Sequence, residues 1–343
     1  SCIDEIVDLF QVSHQEARVL VGVFIENKKK VGLLYDNEYF EFPKNVLIDN
    51  SSGKFSKRAL NYRVYLIEGK LDFNTQRLFL GPTTINLLVN TLCATDCIYC
   101  YADRTKKMDC KIPFNRIREL IREAKQIGVV DFDISGTEIF LYNHWFELVS
   151  ELVNNGYYPY LSTKYPIDEE VVRGLVDIGI KDLQFSIDTL IDAESKIIHR
   201  SKYGYIAKVN HSLELLEKYK INVAVNAVIT KYNSSEFGIV KLLNKLNQFD
   251  NIQKVTFNPA EKSIICSDIH FNDFKNTSAE LMQMDSFLNS VRNDYKFDLI
   301  LAGYLDKSIL TRNAKEKDEF FKNRASCTAN VSQLCILSDG KVT

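Results

Sequence analysis

Long apolar runs, an excess of one charge and a dense set of cysteines are all missing from this 343-residue sequence. No apolar stretch approaches the roughly 18 residues of a membrane-spanning helix, so the sequence predicts no membrane span. A net charge of −2 gives no electrostatic reason to expect nucleic acid as a partner. Eight cysteines are too few for a disulfide scaffold, and no signal peptide is recognisable, so we expect a reducing, cytoplasmic compartment.

The composition is otherwise that of an ordinary globular protein, with 45% hydrophobic and 26% charged residues. No internal repeat or low-complexity segment is evident. The length allows one large domain and one or two small ones.

Residues 1–82 have the pattern of a small α+β domain. Residues 3–21 have mixed apolar spacing, which predicts one or two short helices. Two β-like runs, 31–35 and 39–42, flank the polar segment 36–38 and predict a hairpin. Residues 62–67 predict a further strand. We interpret 1–82 as an N-terminal accessory domain.

From residue 83 to about residue 300 the chain alternates between strand and helix patterns, which is typical of a parallel sheet with crossover helices. The predicted strands are 85–89, 129–134, 158–162, 183–187, 223–229 and 255–257. The predicted helices are 115–127, 145–153, 168–178, 205–219 and 235–249. Six such units predict an α/β fold, a partial (βα)6 barrel like that of the TIM fold. Its ligand would lie at the carboxyl ends of the strands.

The first predicted strand runs into a loop that carries Cys93, Cys97 and Cys100 in a C-x3-C-x2-C pattern. Three thiolates in such a loop suit zinc or an iron–sulfur cluster. Structural zinc takes four protein ligands, whereas this loop offers three cysteines and no nearby histidine. A four-iron cluster held by three cysteines keeps one iron open for a substrate. A trio of reduced, buried cysteines and a zinc knuckle are the alternatives.

This loop resembles the C-x3-C-x-aromatic-C signature of the radical S-adenosylmethionine (SAM) enzymes, with Tyr99 as the aromatic residue. The resemblance implies a 4Fe–4S cluster on the three cysteines and SAM at the open iron. Reductive cleavage of SAM in this family yields a 5′-deoxyadenosyl radical that abstracts hydrogen from a substrate. Tyr99 would lie against the flat ring of the cofactor.

Segments at the ends of the second to fourth predicted strands resemble further family motifs. Gly136 and Glu138 match the Gly-Gly-Glu-Pro segment that receives the SAM ammonium, although Thr137 and Ile139 depart from it. Ser162 falls in the Ser-Thr-Asn-Gly segment, where Lys164 replaces the asparagine, and Ser186 falls in the Ser-Ile-Asp segment. The resemblance therefore implies that Gly136, Glu138, Ser162 and Ser186 contact SAM. Helix capping by Glu138 and a polar strand end at Ser162 are the alternatives.

Two later residues complete the implied SAM site. Arg200 resembles the family arginine that binds the SAM carboxylate, and a surface salt bridge is its alternative role. Asn226 resembles the asparagine that contacts the ribose. Asp188 follows Ser186 on the same strand face, where it is either structural or in contact with the substrate. His199 alone is more often a satisfied polar residue than a base.

The segment 301–343 resembles the start of the SPASM or twitch extension, which holds an auxiliary cluster in peptide-modifying relatives. Cys327 and Gly340 fit its opening, and the next cysteine would fall two residues after Thr343. The resemblance implies that Cys327 ligates an auxiliary 4Fe–4S cluster, while Cys335 occupies an apolar strand position and is expected to pack.

Together these motifs predict a radical SAM maturase of a ribosomally synthesised peptide, which forms a crosslink or an epimer. The partners that this implies are a precursor peptide and an electron donor such as ferredoxin or flavodoxin. The alternatives are a maturase of a protein active site, as in the sulfatase-maturing relatives, and a non-catalytic binding protein with the same fold. The catalytic acid–base residues are not identifiable from the sequence.

Overall fold

The computed structural model describes residues 2–25, 27–35, 38–42, 82–102, 107–135, 138–263, 268–302 and 333–343. The chain divides into two compact units, Ser1–Phe55 and Ser56–Thr343. Three of the predictions above, Gly136, Cys327 and the strand 62–67, lie outside the described residues.

The first unit contains two short helices and a hairpin. Helix α1 spans Cys2–Phe10 and α2 spans His14–Gly22, where Ser13 and Glu16 form a reciprocal capping box at the start of α2. Strand β1, Val31–Tyr35, pairs antiparallel with β2, Glu38–Phe42. The predicted helices and hairpin are therefore confirmed.

Eight strands of the second unit form two all-parallel sheets. The order in the three-stranded sheet is β10-β3-β4, and the order in the five-stranded sheet is β5-β6-β7-β8-β9. The strands are β3 Thr84–Leu88, β4 Asp131–Ser135, β5 Ser162–Thr163, β6 Asp182–Ser186, β7 Asn222–Ile229, β8 Ile252–Pro259, β9 Asp298–Leu301 and β10 Gln333–Ile336. The predicted α/β fold with parallel strands is confirmed.

Helices connect these strands along the chain. They are α3 Phe114–Gln126, α4 Trp145–Asn154, α5 Glu169–Ile178, α6 Asp192–Ile198, α7 Tyr205–Lys218, α8 Glu236–Leu246, α9 Asp268–Asn272 and α10 Ser278–Val291. Helix α5 shows why the boundaries were predictable. The Asp168 carboxylate accepts the Val171 N–H at its start, and Gly179, with φ +97°, ends it in the left-handed conformation. None of the helices in the described ranges has the length and apolar character that a membrane crossing requires.

Strand β7 shows how the fold separates core from cavity. Val223, Val225, Ala227 and Ile229 are fully buried, whereas the intervening residues are half-buried. Since successive strand side chains point to opposite faces, one face of β7 packs in the core and the other carries Asn226 into an open space.

The strand predictions differ from the structure at β5. The prediction was 158–162, but only Ser162 and Thr163 pair with a neighbouring strand, β6. The preceding backbone is held differently, because the Tyr160 N–H donates to the Asp133 carboxylate at 2.9 Å. No ladder joins β4 to β5 in the described residues, so the two sheets are separate there.

Strand β9 was not predicted, whereas β10 lies where the resemblance implies a strand position for Cys335, and each of the two extends one edge of the arrangement. Strand β10 pairs with β3, turns at Gly340 (φ +88°) and returns so that Cys335 and Thr343 exchange backbone hydrogen bonds. Cys335 thus lies in a strand, as expected for a packing residue.

Candidate functional site

A cavity of about 580 Å³ opens at the carboxyl ends of the strands in the five-stranded sheet. Its volume falls within the range of roughly 300–1,000 Å³ that is usual for small-molecule sites. The residues that line it come from the cysteine loop and from β5 to β9: Cys93, Thr95, Cys97, Tyr99, Cys100, Tyr101, Ala102, Ser162, Thr163, Lys164, Gln184, Ser186, Asn226, Val228, Asn258, Pro259, Ala260, Glu261 and Ala302.

Seven of the predicted site residues meet in this cavity: Cys93, Cys97, Cys100, Tyr99, Ser162, Ser186 and Asn226. The sheet register explains why the last three are close. Ser186 on β6 is paired with Asn226 on β7, and Ser162 on β5 is paired with Gln184 on β6. The Gln184 amide donates to the Ser186 hydroxyl at 2.9 Å, which leaves the Ser186 proton available to a ligand.

The cysteine loop is fixed by backbone hydrogen bonds along its length. At its start, the buried Asn90 side chain accepts the Leu92 N–H and donates to the Glu138 carbonyl. Farther along, the Asp96 and Ile98 N–H groups donate to the carbonyls of His199 and Ile198, each at 2.9 Å. The loop is therefore attached to the end of α6 as well as to β3.

The three thiols of the loop are free and half-buried. The Thr95 hydroxyl lies between two of them, 3.7 Å from the Cys93 sulfur and 3.3 Å from the Cys97 sulfur. In the described ranges, no three Cys, His, Asp or Glu side chains converge as they would on a single metal ion. A four-iron cluster does not need such convergence, because each thiolate binds a different iron. Soft thiol donors around one cavity fit an iron–sulfur cluster.

Beneath the loop, the Asp188 carboxylate accepts four hydrogen bonds. One oxygen accepts from Lys164 Nζ at 2.8 Å, from His199 Nε2 at 2.7 Å and from the Tyr99 hydroxyl. The other accepts the Val228 N–H at 3.0 Å. Lys164 Nζ also donates to the Tyr99 hydroxyl at 2.6 Å. Asp188 thus connects the cysteine loop to the ends of β5, β6 and β7.

Charge and burial set the protonation states of this cluster. The side chains of Lys164, Asp188 and His199 are each at least 87% buried. Burial opposes the charge on Asp188, but Lys164 and His199 outweigh it and hold the pKa of the carboxyl well below its usual range. Burial would also lower the pKa of Lys164, yet Asp188 raises it overall. The pair is therefore ionised.

His199 is the neutral member of the cluster. Burial and the charge of Lys164 lower its pKa below the ordinary value of 6.5. A carboxylate only accepts, so Nε2 carries the proton toward Asp188 and Nδ1 accepts from the Ser195 hydroxyl at 3.0 Å. Sequence reasoning missed this cluster as a unit. The signals were the lysine in the asparagine position and the placement of Asp188 on the same strand face as Ser186.

Glu138, a predicted SAM contact, is buried and does not line the cavity. Its carboxylate accepts from the Thr163 hydroxyl at 2.8 Å and from the N–H groups of Lys164 and Tyr165 at 3.2 and 3.1 Å. Burial outweighs these bonds and raises the pKa of Glu138 to about 7. Glu138 therefore joins the end of β4 to the end of β5, where the strand ladder is interrupted.

Arg200 is another predicted SAM contact that does not line the cavity. It lies on the side of the cysteine loop that carries Asp96, here called the outer side. Its guanidinium pairs with Asp96 at 2.8 Å, and both side chains are 60% exposed. Arg200 has a left-handed backbone, with φ +51°, which turns the chain between α6 and α7.

Comparison with known proteins agrees with this geometry. Residues 87–238, which contain the cysteine loop and the strands β4 to β7, match the family model described as the Radical SAM superfamily. This part of the chain is therefore similar to radical SAM domains. A probable GTP 3′,8-cyclase of Methanothermobacter marburgensis is 25% identical over 148 residues, which cover 41% of this chain and 48% of that protein.

Solved structures share the fold. SuiB of Streptococcus suis bound to S-adenosylmethionine is 17% identical, with a TM-score of 0.59 over 76% of this chain and 60% of SuiB. The protein anSMEcpe, bound to AdoMet and the Cp18Cys peptide, is 17% identical, with a TM-score of 0.53 over 76% of this chain and 73% of that one. The chain spans about half the length of the curated relative and 60% of SuiB.

Proposed function

We propose that this protein is a radical SAM enzyme that modifies a peptide. The observation that carries the proposal is the meeting of three free thiols with the polar strand residues Ser162, Ser186 and Asn226 in one cavity. When bound, a 4Fe–4S cluster would supply the electron that cleaves SAM to a 5′-deoxyadenosyl radical. Cys93, Cys97 and Cys100 would hold that cluster.

The remaining residues bind and orient. Ser186 donates its free proton into the cavity, beside Asn226 on the next strand. Tyr99 is held by Asp188 and Lys164, so its ring has a fixed position at the base of the loop. Fixed polar groups of this kind place a ligand without reorganisation, which favours a single reactive geometry. We propose Ser162, Ser186 and Asn226 as SAM contacts, together with Tyr99, Gly136, Glu138 and Arg200 from the sequence.

Two observations support a peptide substrate. SuiB has been solved with the precursor peptide SuiA, and anSMEcpe with the peptides Cp18Cys and Kp18Cys. Both proteins share this fold. The cavity of the present protein extends beyond the cysteine loop to Asn258, Glu261 and Ala302, so that a second ligand has residues to contact there. We further propose that 1–82 is an accessory domain, 83–300 the catalytic core and 301–343 the start of an auxiliary-cluster extension.

The central test is anaerobic reconstitution followed by measurement of iron and of 5′-deoxyadenosine. Wild type is expected to bind about four irons at the loop and to cleave SAM under a chemical reductant. Replacement of Cys93, Cys97 and Cys100 by Ala should abolish both signals, whereas Cys110→Ala, a matched half-buried thiol, should not. Persistent SAM cleavage by the triple variant would contradict the proposal.

The substrate class needs a separate measurement. Deuterium from labelled candidate peptides should enter 5′-deoxyadenosine. A crosslink should lower the peptide mass by the hydrogens that are lost, whereas epimerisation leaves the elemental composition unchanged and should appear as uptake of solvent deuterium at the inverted carbon. Consumption of GTP instead of any peptide would favour the chemistry named for the curated relative. Sulfatase-type maturation would appear as oxidation of a side chain in a folded protein target.

The auxiliary cluster depends on Cys327. A chain with additional downstream sequence is expected to carry about eight irons, which fall to about four in Cys327→Ala. A single cluster in that longer protein would remove the support for the extension.

A further inference from the structure

A second cavity, of about 400 Å³, lies against the cysteine loop. Its lining includes Cys93, Tyr165, Lys202, Tyr203, Tyr205 and Lys208, and no acidic side chain. Cys93 lines this second cavity as well as the first, so a single cysteine of the loop borders both spaces.

The surface around this second cavity is strongly basic. Residues 196–208 carry Lys196, Arg200, Lys202 and Lys208 and no Asp or Glu, although the chain as a whole has a net charge of −2. Among the described residues, the ammonium groups of Lys202 and Lys208 make no ion pair, whereas Arg200 pairs with Asp96. Unpaired exposed lysines beside a cavity attract an anionic partner.

The same surface exposes one aromatic ring. Tyr203 is 96% exposed, which is exceptional for a ring of its size. Tyrosine is enriched at protein interfaces because it contributes a large rigid area and a polar end. Exposed lysines beside a projecting tyrosine suit a protein partner better than a small anion, because a small anion would be held by enclosed donors.

The position of this surface limits what the partner does. Under the proposed function, SAM and substrate occupy the first cavity and cover the inner side of the loop. An electron must therefore enter from another side, and Cys93 borders the second cavity. The backbone hydrogen bonds from Asp96 and Ile98 to the end of α6 hold the loop against the segment that carries the lysines.

We propose that Lys202, Tyr203 and Lys208 form the docking surface for a small acidic one-electron carrier protein. One electron leaves the reduced carrier and enters the cluster held by the cysteine loop, with no bond made or broken at the surface. Complementary charge would raise the association rate and orient the carrier toward Cys93. This inference rests on the proposed function for its purpose, but the binding it predicts is measurable independently.

The test uses reconstituted full-length protein, with a flavodoxin and a 2Fe–2S ferredoxin as probes. Binding of the oxidised carrier is measured by calorimetry at low and high salt. The double variant Lys202→Glu/Lys208→Glu is compared with Lys125→Glu/Lys241→Glu, which changes the net charge equally at exposed lysines of α3 and α8. We expect the first variant to bind about tenfold or more weakly and to lose the salt dependence, and the second to match wild type.

Activity separates this inference from the proposed function. With dithionite as reductant, both double variants should form 5′-deoxyadenosine at the wild-type rate, because the carrier is bypassed. With reduced carrier, only Lys202→Glu/Lys208→Glu should show a raised carrier concentration for half-maximal rate, and Tyr203→Ala should follow it. Failure of the dithionite reaction in wild type would refute the proposed function, while the calorimetry would still decide on docking.

Three results would overturn the docking surface. The first is equal carrier affinity in wild type and in Lys202→Glu/Lys208→Glu. The second is an equal loss in both double variants, which would indicate a general charge effect. The third is displacement of the carrier by inorganic phosphate at constant ionic strength, which would identify a small-anion site instead.

Discussion

Two ion pairs flank the cysteine loop and differ in almost every physical respect. On the inner side, Lys164 and Asp188 are 13% and 0% exposed, and Asp188 also bonds to His199 and Tyr99. On the outer side, Arg200 and Asp96 are each 60% exposed and bond to each other at the same 2.8 Å. Distance alone therefore does not distinguish them, but burial and the number of shared partners do.

This difference indicates which of the charged residues beside the cysteine loop determines the geometry of the loop. A buried pair has lost its hydration, so each charge depends on its partner and on every hydrogen bond around it. An exposed pair competes with water and salt and contributes about 0–1 kcal/mol. The sequence pattern drew attention to the exposed Arg200, whereas the structure gives the central position to Asp188.

The largest expected effect is that of Asp188→Asn. It leaves Lys164 as an uncompensated buried cation, and we expect a loss of about 3–5 kcal/mol in the free energy of unfolding. Urea unfolding measures this loss, with Asp96→Asn as the matched control at about 0–1 kcal/mol. Lys164→Met added to Asp188→Asn should restore part of the stability. Equal effects of Asp188→Asn and Asp96→Asn would remove the distinction between the two pairs.

The next effect concerns the pH dependence of the buried Glu138. Its folded pKa of about 7 exceeds the ordinary 4.5, so between these values the unfolded chain releases the proton while the folded chain retains it. Stability from this group is therefore complete below about pH 4.5 and falls as the pH rises toward 7, by at most about 3 kcal/mol. Unfolding free energies at pH 5 and 8 should differ less in Glu138→Gln than in wild type. An identical difference would show that Glu138 does not titrate in this range.

A smaller effect compares SAM affinity at the two sides of the loop. Ser186 lines the cavity, so Ser186→Ala removes one neutral hydrogen bond worth about 0.5–1.5 kcal/mol, or about two- to tenfold in affinity. The SAM affinity of Arg200→Ala is measured for comparison. A loss of about ten- to hundredfold would establish the carboxylate contact predicted from the sequence, since it matches a charge-assisted bond. Unchanged affinity would confine Arg200 to its pair with Asp96.

The smallest effect is on stability at the outer pair. Arg200→Ala should lower the free energy of unfolding by less than about 1 kcal/mol, and 0.5 M salt should reduce even that difference. Thermal unfolding of Arg200→Ala and Asp96→Ala, singly and together, gives the coupling energy. A coupling above about 2 kcal/mol would mean that the outer pair behaves as a buried one.

Most of the helices and strands were predictable from local sequence patterns. Helix α5 was predictable because Asp168 and Gly179 mark its ends chemically, and β7 because its apolar residues alternate. The bounds of strand β5 were not predictable, because the Tyr160 N–H donates to the carboxylate of Asp133, a residue distant in sequence. The short strand β9, which pairs with β8 at the edge of the five-stranded sheet, was missed because four residues are too few to show a periodic pattern.

The same distinction applies to the candidate site. Cysteine spacing and the resemblance of short segments to family motifs are local signals, and they identified Cys93, Ser186 and Asn226, which the fold brings together. The cluster around Asp188 is a product of tertiary packing. Lys164, Asp188 and His199 come from three different segments, so only their positions in space show that they act as a unit.

The interruption between β4 and β5 has a consequence for the cooperativity of unfolding. The cysteine loop leaves from β3 in the three-stranded sheet, while Asp188, which holds it, extends from β6 in the five-stranded sheet. A ligand bound by the loop therefore couples two hydrogen-bonded blocks that share no strand ladder in the described residues. Amide hydrogen exchange should accordingly show two subglobal opening reactions in the ligand-free chain, which merge into one when the loop is loaded.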